Sequence, residues 1–378
     1  MAEIANAAAQ GVADQDSAAA RVAELIERRT ARDVRAAADR AVREDAERGR
    51  GLAGGPVGAA TIAESLGGRV CFRSRVDDIV ISRAALSGLV LQDGTRIDTD
   101  TAIFAPGHSA RDLFTVLATR GVDIESKAFA LGLRVEHPQE LISRNQYGEK
   151  WQHPALGPAE YRLAARSQDG RGVYSFCMCP GGTVVNASSE EGYLACNGMS
   201  RYLRDGRNAN AALVVSASPE DFESKDPLAG IAFQRRWEAL AYAAAQGALP
   251  VQRYGDWKES RSGSAPFGFL PDCTGPWASA DLNTCLPAFA TRGIAEGMAV
   301  FARQINGYDA PDVLFTGVET RTSSPLRILR DLRGESSLKG LYVAGEGPGY
   351  AGGIMSAAMD GLAVARSLLD GSGEKSVC

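Results

Sequence analysis

The order of apolar and polar positions marks out strands and helices along most of the chain. Leu341, Tyr342 and Val343 form a short apolar run, which predicts a buried strand. A glycine-dense turn follows from Gly345 to Gly353. Beyond it Ile354, Ala357, Ala358, Leu362 and Val364 recur at roughly helical spacing, with small residues between them. The pattern is strand, tight turn, helix. An earlier segment has similar character: Thr101–Ala105 predicts a strand and Leu113–Thr119 a helix, with Ser109 as its N-cap. Val76–Ile81, Leu86–Leu91 and Arg96–Asp98 predict a β-meander, with Asp93-Gly94 as a turn signal. Arg69–Phe72 reads as a further strand.

After Lys127 the pattern changes. Phe129–Val135, Val173–Met178, Val184–Asn186, Ala212–Val215 and Leu314–Val318 read as strands, and Ile231–Gln246 and Ala288–Ile305 as apolar helices. Upstream, Ser17–Arg48 is rich in Ala, Arg and Glu, with Val22, Leu25 and Ile26 on one face. It predicts a solvated or partly disordered helical extension. It has no apolar h-region for a secretory signal and too many acids for a transit peptide. Gly51–Gly58 reads as a linker and 59–66 as a short helix. The expected division is therefore a helical extension over 1–50, a nucleotide-type domain in two parts at 51–126 and 319–372, and an insert over 127–318 with its own core.

Composition narrows the function. A chain of 378 residues is long enough for two or more cores. With 41 basic and 46 acidic side chains, nothing points to nucleic acid. No apolar run approaches the roughly 18 residues of a membrane span. Seven irregularly placed cysteines suit a reducing compartment, so a cytoplasmic location is expected. Three histidines, and no H-E-x-x-H or paired C-x-x-C pattern, argue against a metal site.

The chemistry concentrates at the C-terminal turn. Gly347-Pro-Gly349-Tyr-Ala-Gly352 matches G-x-G-x-x-G, but no second strand with an acidic residue follows, so the dinucleotide reading fails on context. Glycine lets a backbone approach a ligand, and a helix N-terminus offers free amides and a positive dipole end. Glu346 and Tyr350 inside the turn favour a ligand site over mere tight packing of helix on strand. Elsewhere two readings stand for each candidate. Cys177 and Cys179 are either a redox dithiol, despite the strained C-x-C spacing, or packing residues on one face of a strand. His137, beside Arg134 and Glu136, is either a proton donor or a structural histidine. Arg207, Asn208 and Arg321 either orient an anionic substrate or sit in solvated loops.

Longer strings give the chain a family likeness. PGHSARD at 106–112, RVEHPQELI at 134–142, GRGVYSFCMCPGG at 170–182, ASSEEG at 187–192, DGRNAN at 205–210, ETRTSSPLRI at 319–328 and GEGPGYAGGIMSAAMDG at 345–361 carry it. With these strings, over roughly Thr61 to Leu369, the chain resembles the uncharacterised FAD-dependent dehydrogenases. These are FAD-dependent oxidoreductases related to the glutathione-reductase-like, two-dinucleotide-binding flavoproteins. The resemblance implies an α/β fold: a partial glutathione-reductase-like FAD-binding domain with a large inserted α+β substrate domain. It implies FAD as cofactor, and a small-molecule substrate with a separate electron acceptor. It places Val76 near the adenine. Gly107, Ser109, Arg111 and Asp112 fall at a strand-end turn near FAD, with Pro106 where the family has threonine. Gly345, Glu346 and Gly347 fall at the ribityl chain, and Gly352, Gly353 and Ile354 at the flavin pyrimidine edge, with Tyr350 beside them.

The family pattern opens on a βαβ unit with the FAD pyrophosphate fingerprint. Here the Ala/Arg/Glu helix stands in that place, so the resemblance implies a chain truncated at, or degenerate in, its N-terminal half-site. Two functions are therefore expected to compete: an FAD-dependent oxidoreductase, and a non-catalytic remnant or binding module that keeps the fold without flavin.

Overall fold

The computed structural model describes residues 64–65, 67–261 and 266–373. The predicted extension, the linker and most of the 59–66 helix lie outside these. The fold is mixed α/β and divides into two units. Unit 1 takes the chain up to Lys127, then Asp226–Leu228, and then the chain from Ser323 onward. Unit 2 takes Ala128–Lys225 and Ala229–Thr322.

Unit 1 begins with a three-stranded antiparallel meander of β1 (Val76–Ser82), β2 (Ala85–Leu91) and β3 (Arg96–Asp98). Its β2–β3 turn has Gly94 at φ +83°, and the Asp93 carboxylate accepts from the Thr95 amide at 2.9 Å. Arg69–Phe72 forms no strand; Phe72 has no partner surface and stays exposed. Next come β4 (Ala102–Phe104), α1 (Arg111–Thr119) and β5 (Ile124–Ser126). The N-cap of α1 is Ala110, without a side-chain cap; Ser109 stands one residue too early and contributes its carbonyl to the Arg111 amide instead. Phe114 and Leu117 bury the inner face of α1, and Arg120 pairs with Asp78 to hold it to β1.

Unit 2 holds β6 (Phe129–Pro138), α2 (Gln139–Tyr147), β7 (Ala164–Arg166), β8 (Gly172–Cys179), β9 (Gly182–Asn186), β10 (Cys196–Ser200) and β11 (Asn208–Ala217). It continues with α3 (Ala229–Ala245), β12 (Leu249–Arg253), α4 (Tyr254–Lys258), β13 (Trp277–Ser279), α5 (Ala288–Phe301) and β14 (Leu314–Glu319). Seven strands form one sheet in the order β13-β12-β14-β6-β11-β8-β7, antiparallel except where β12 meets β13.

Alternation along β6 and β11 sorts the two faces of this sheet. Leu131, Leu133 and Val135 stand opposite Val215, Leu213 and Ala211 on a dry face that belongs to the main core. Helix α5 seats on this face through glycine, since a Cβ on Gly297 would come within 2.6 Å of Val173. The opposite face is polar and equally buried. Arg134, Glu136, Asn208 and Asn210 lie there under the β9–β10 hairpin. A Cβ on Gly198 of that hairpin would stand 2.2 Å from Asn210 Oδ1 and 2.4 Å from Arg134 Nη1.

The chain closes in unit 1 with β15 (Leu326–Ile328), β16 (Leu341–Val343) and α6 (Ile354–Gly373). β15 pairs antiparallel with β5, and β16 pairs in parallel with β4.

Candidate functional site

The parallel pair fixes the site. Leu341, Tyr342 and Val343 stand opposite Ala102, Ile103 and Phe104, and the Ala344 amide extends the ladder to the Phe104 carbonyl at 2.9 Å. The turns that follow the two strands therefore leave side by side from their C-terminal ends. That is where open α/β sheets bind ligands. A Cβ on Gly347 would lie 2.5 Å from the Gly107 carbonyl oxygen, so the two turns touch backbone to backbone. Only glycine permits that approach.

Polar groups converge around this contact. Glu346 Oε1 lies 3.5 Å from His108 Nδ1, and both side chains are about three-quarters buried. Burial pushes the Glu346 carboxyl above its usual range, and the Lys127 ammonium draws it back. Burial and Arg327 both push Lys127 down, and Glu346 opposes them. Lys127 Nζ donates to the Ser324 carbonyl at 3.3 Å, and Ser324 Oγ donates to the Gly347 carbonyl at 2.7 Å. Sequence reasoning passed over Lys127 and Ser324. Neither stands inside a glycine string, and only the fold brings them to the turn.

Past the turn, α6 opens toward solvent. A Cβ on Gly352 would meet nothing within 4 Å, and Ile354 and Met355 are largely exposed. The Gly352 amide donates to Ser356 Oγ at 3.3 Å, and the first helical bond is Ala357 N–H to the Gly353 carbonyl. The amides of the first turn between these point out of the helix. The other unit 1 candidates lie to one side. Val76 opens β1, and its neighbour Arg75 stands 3.7 Å from Asp112 at the start of α1. Arg111 is buried, and Ser109 is half-buried in the turn after β4.

Other candidates lie in unit 2. His137 is fully buried on β6; its Nε2 lies 2.8 Å from the Tyr308 carbonyl, and its ring packs on Tyr308 at 4.4 Å. Burial pushes its pKa down to about 4, outweighing the Tyr308 bond, so the ring stays neutral. Cys177 and Cys179 do not share a buried strand face. Cys177 is exposed at φ +42° where the pairing of β8 with β11 slips, and its carbonyl accepts from Arg134 Nη1 at 2.8 Å. Cys179 is buried, which pushes its thiol up, and it donates to the Cys177 carbonyl at 3.3 Å.

Arg321 is not a solvated loop residue. It is buried, its Nη2 lies 2.9 Å from Glu238, and its Nη1 donates to Ser189 at 2.6 Å. Asn208 is buried as well and donates to Glu136 at 2.9 Å. Arg207 remains exposed. No group of acids, cysteines and histidines among the described residues is arranged to hold a metal ion.

With this geometry in hand, comparison with known proteins places the chain. The family described as FAD-dependent protein, C-terminal domain-like matches residues 128–322. The chain belongs to that family. It is a family of FAD-dependent proteins, and FAD is the cofactor it implies. The matched span runs from the first to the last residue of unit 2. An uncharacterised protein of Clostridium beijerinckii is 46% identical over 309 residues, which is 81% of this chain and 58% of that one. The chain thus spans 58% of the length of this relative. Among solved structures, an oxidoreductase from Methanosarcina mazei is 12% identical with a TM-score of 0.34, over 82% of this chain and 52% of that one. The L-proline dehydrogenase from P. horikoshii is 12% identical with a TM-score of 0.32, over 82% and 52%.

The residues present fit one end of the cofactor. Gly107 and Gly352 leave open space where any other residue would project a side chain. Glu346 is an acceptor suited to ribityl hydroxyls, and the first turn of α6 presents donors to an electron-rich ring edge. Among the described residues of unit 1, no second G-x-G-x-x-G string accompanies the one at 347–352. No helix among the described residues is long and apolar enough to cross a membrane.

Proposed function

We propose that unit 1 carries the flavin-ring and ribityl part of the FAD site, and that the protein is a dehydrogenase-type oxidoreductase. It would pass electrons from a small-molecule donor to a separate acceptor, and we place it in the cytoplasm. The observation that carries this reading is the pair of touching turns at Gly107 and Gly347, with Glu346 beside them and α6 opening past Gly352.

FAD, when bound, supplies two-electron transfer chemistry. The residues of the chain do the rest. Glu346 would accept hydrogen bonds from the ribityl hydroxyls. The amides of Gly353 and Ile354, with the positive end of the α6 dipole, would stabilise negative charge on the ring edge. Burial raises the Glu346 carboxyl, and Lys127 partly offsets this. Gly107 and Ser109 would line the approach from the first turn, Val76, Arg111 and Asp112 would back it, and Tyr350 would fix the outer edge of the second. Unit 2 would serve as the substrate domain.

Titration of the full chain with FAD, followed by flavin fluorescence and visible absorbance, tests the reading. Saturable uptake at one site per chain is expected. Gly352→Val should abolish it and leave the far-ultraviolet circular dichroism unchanged, because the new side chain would project into the cofactor space and not into protein. Uptake that the variant leaves intact would place the flavin elsewhere.

A further inference from the structure

The turn that would meet the flavin has a backbone bond of its own, from the Gly349 amide to the Glu346 carbonyl at 2.9 Å. It is short of side chains and runs from Gly345 at φ +85° through Gly349 at φ +88°. Ser324 and Ile328 bond the carbonyls of Gly347 and Pro348, and a two-residue device behind the turn fixes its ends. Asp360, almost two turns into α6, accepts the Gly345 amide on Oδ2 at 2.7 Å. The same oxygen accepts Arg330 Nη1 at 2.9 Å, while Oδ1 accepts Nη2 at 2.5 Å. This is a two-point carboxylate–guanidinium pair, with both side chains more than four-fifths buried. Arg330 does two further things. Its Nη1 donates to the Val343 carbonyl at 2.7 Å, at the end of β16, and its guanidinium stacks 3.7 Å over the Tyr350 ring.

One guanidinium therefore touches the last residue of the strand, the aromatic residue inside the turn and the helix that follows. One carboxylate ties the first residue of the turn to that helix. The start, middle and end of the segment 343–360 are fixed to each other through Arg330 and Asp360. Burial raises the Asp360 carboxyl, and its bonds to Arg330 and the Gly345 amide outweigh this and hold it below the usual carboxylate range. It stays ionised at neutral pH. A surface ion pair would contribute little; this one is largely buried and bonded at both oxygens.

We infer that Asp360 and Arg330 are positioning residues for the cofactor: they hold the 345–353 turn and the first turn of α6 in the shape that receives the flavin. The inference rests on the site proposed above and adds residues that no glycine string contains. Its core is a statement about the turn itself, which can be read without cofactor.

The test uses the full chain with Asp360→Ala, Asp360→Asn and Arg330→Lys. Hydrogen–deuterium exchange of the cofactor-free proteins reads the turn. Exchange over 345–357 should rise in Asp360→Ala, with unit 2 unchanged as internal control. Asp360→Asn keeps an oxygen for the Gly345 amide and should restore part of the protection. Arg330→Lys keeps the charge, loses the two-point grip and the stacking on Tyr350, and should resemble Asp360→Ala. FAD titration then reads the consequence. Dissociation constants should rise about 10–100-fold in Asp360→Ala and Arg330→Lys, with a changed visible circular dichroism of the bound flavin. Unchanged exchange in both would overturn the inference. So would a loosened turn that binds FAD as tightly as the wild type. Failure of the wild type itself to take up FAD would overturn the site assignment instead, and the exchange data would still decide whether the brace exists.

Discussion

Glu136 should make the stability of unit 2 depend on pH in a direction opposite to most acids. Its carboxyl is fully buried on the polar face of the sheet. Oε2 accepts from Asn208 Nδ2 at 2.9 Å and from the Asp272 amide at 3.0 Å, and Oε1 lies 3.3 Å from Thr316 Oγ1. These bonds favour the ionised form, yet burial outweighs them, and the pKa rises from 4.5 to about 7. A folded-state pKa above the unfolded one means the native protein holds the proton more tightly. Stability from this group is complete below pH 4.5 and drains away as pH rises to about 7. Two and a half pKa units correspond to about 3 kcal/mol. Glu136→Gln should remove this dependence. Its amide oxygen accepts the two bonds now made to Oε2, and its NH2 donates to Thr316. All four tryptophans, Trp151, Trp237, Trp257 and Trp277, lie in unit 2, so urea unfolding followed by tryptophan fluorescence reads it directly. The wild type should lose about 3 kcal/mol more than the variant between pH 4.5 and pH 8. Equal losses would refute the raised pKa, and a variant weaker at both pH values would show that the carboxylate is bound as an anion.

Two further outcomes follow from the same unit. Gly198→Ala would press a methyl group onto Asn210 and Arg134, whose Nε is paired with Glu319 at 2.8 Å; it should cost about 3 kcal/mol or more. An unchanged urea midpoint would mean the β9–β10 hairpin does not seal that face. Replacing Cys177 and Cys179 together by alanine should cost about 1 kcal/mol and leave both FAD uptake and flavin reduction unchanged. A stable, flavin-loaded double variant that cannot be reduced by substrate would return the pair to the chemistry.

The segments readable in advance were those whose neighbours in sequence are also their neighbours in space. The meander β1–β3 follows from alternation and Asp93-Gly94, and β16 with α6 follows from an apolar triplet, glycines and a helical repeat. The interior of unit 2 was harder. β6 runs on to Pro138, past Val135, because Arg134, Glu136 and His137 are buried against Glu319, Asn208 and Tyr308. Each partner is far along the chain, so polarity alone suggested a strand end. The extension of β11 back to Asn208 has the same cause. α2 buries only Ile142 and Ser143 along nine residues, too little apolar repeat to announce a helix. At the candidate site the glycine turns and Glu346 were visible. Arg330 and Asp360 were not, because a paired Arg and Asp 30 positions apart look like two ordinary surface charges.

The β5–β15 pairing has a consequence for how this architecture can change. Lys127 donates its amide to the Pro325 carbonyl at 2.9 Å, and Ala130 and Thr322 are joined by a bond in each direction, at 3.2 and 2.7 Å. The two ends of unit 2 are thus only a hydrogen bond apart. Bringing distant ends together is the entropic toll on any insertion, growing only slowly with its length. Here the β-ribbon has already met it for any chain, short or long, that starts and finishes at these positions. Save for Asp226–Leu228, which returns to bond Ser126, the whole of 128–322 can be exchanged for a different module without moving β4, β16 or the turns between them. A different module can in this way be acquired by cassette, while β4, β16 and their turns keep a geometry they never had to renegotiate.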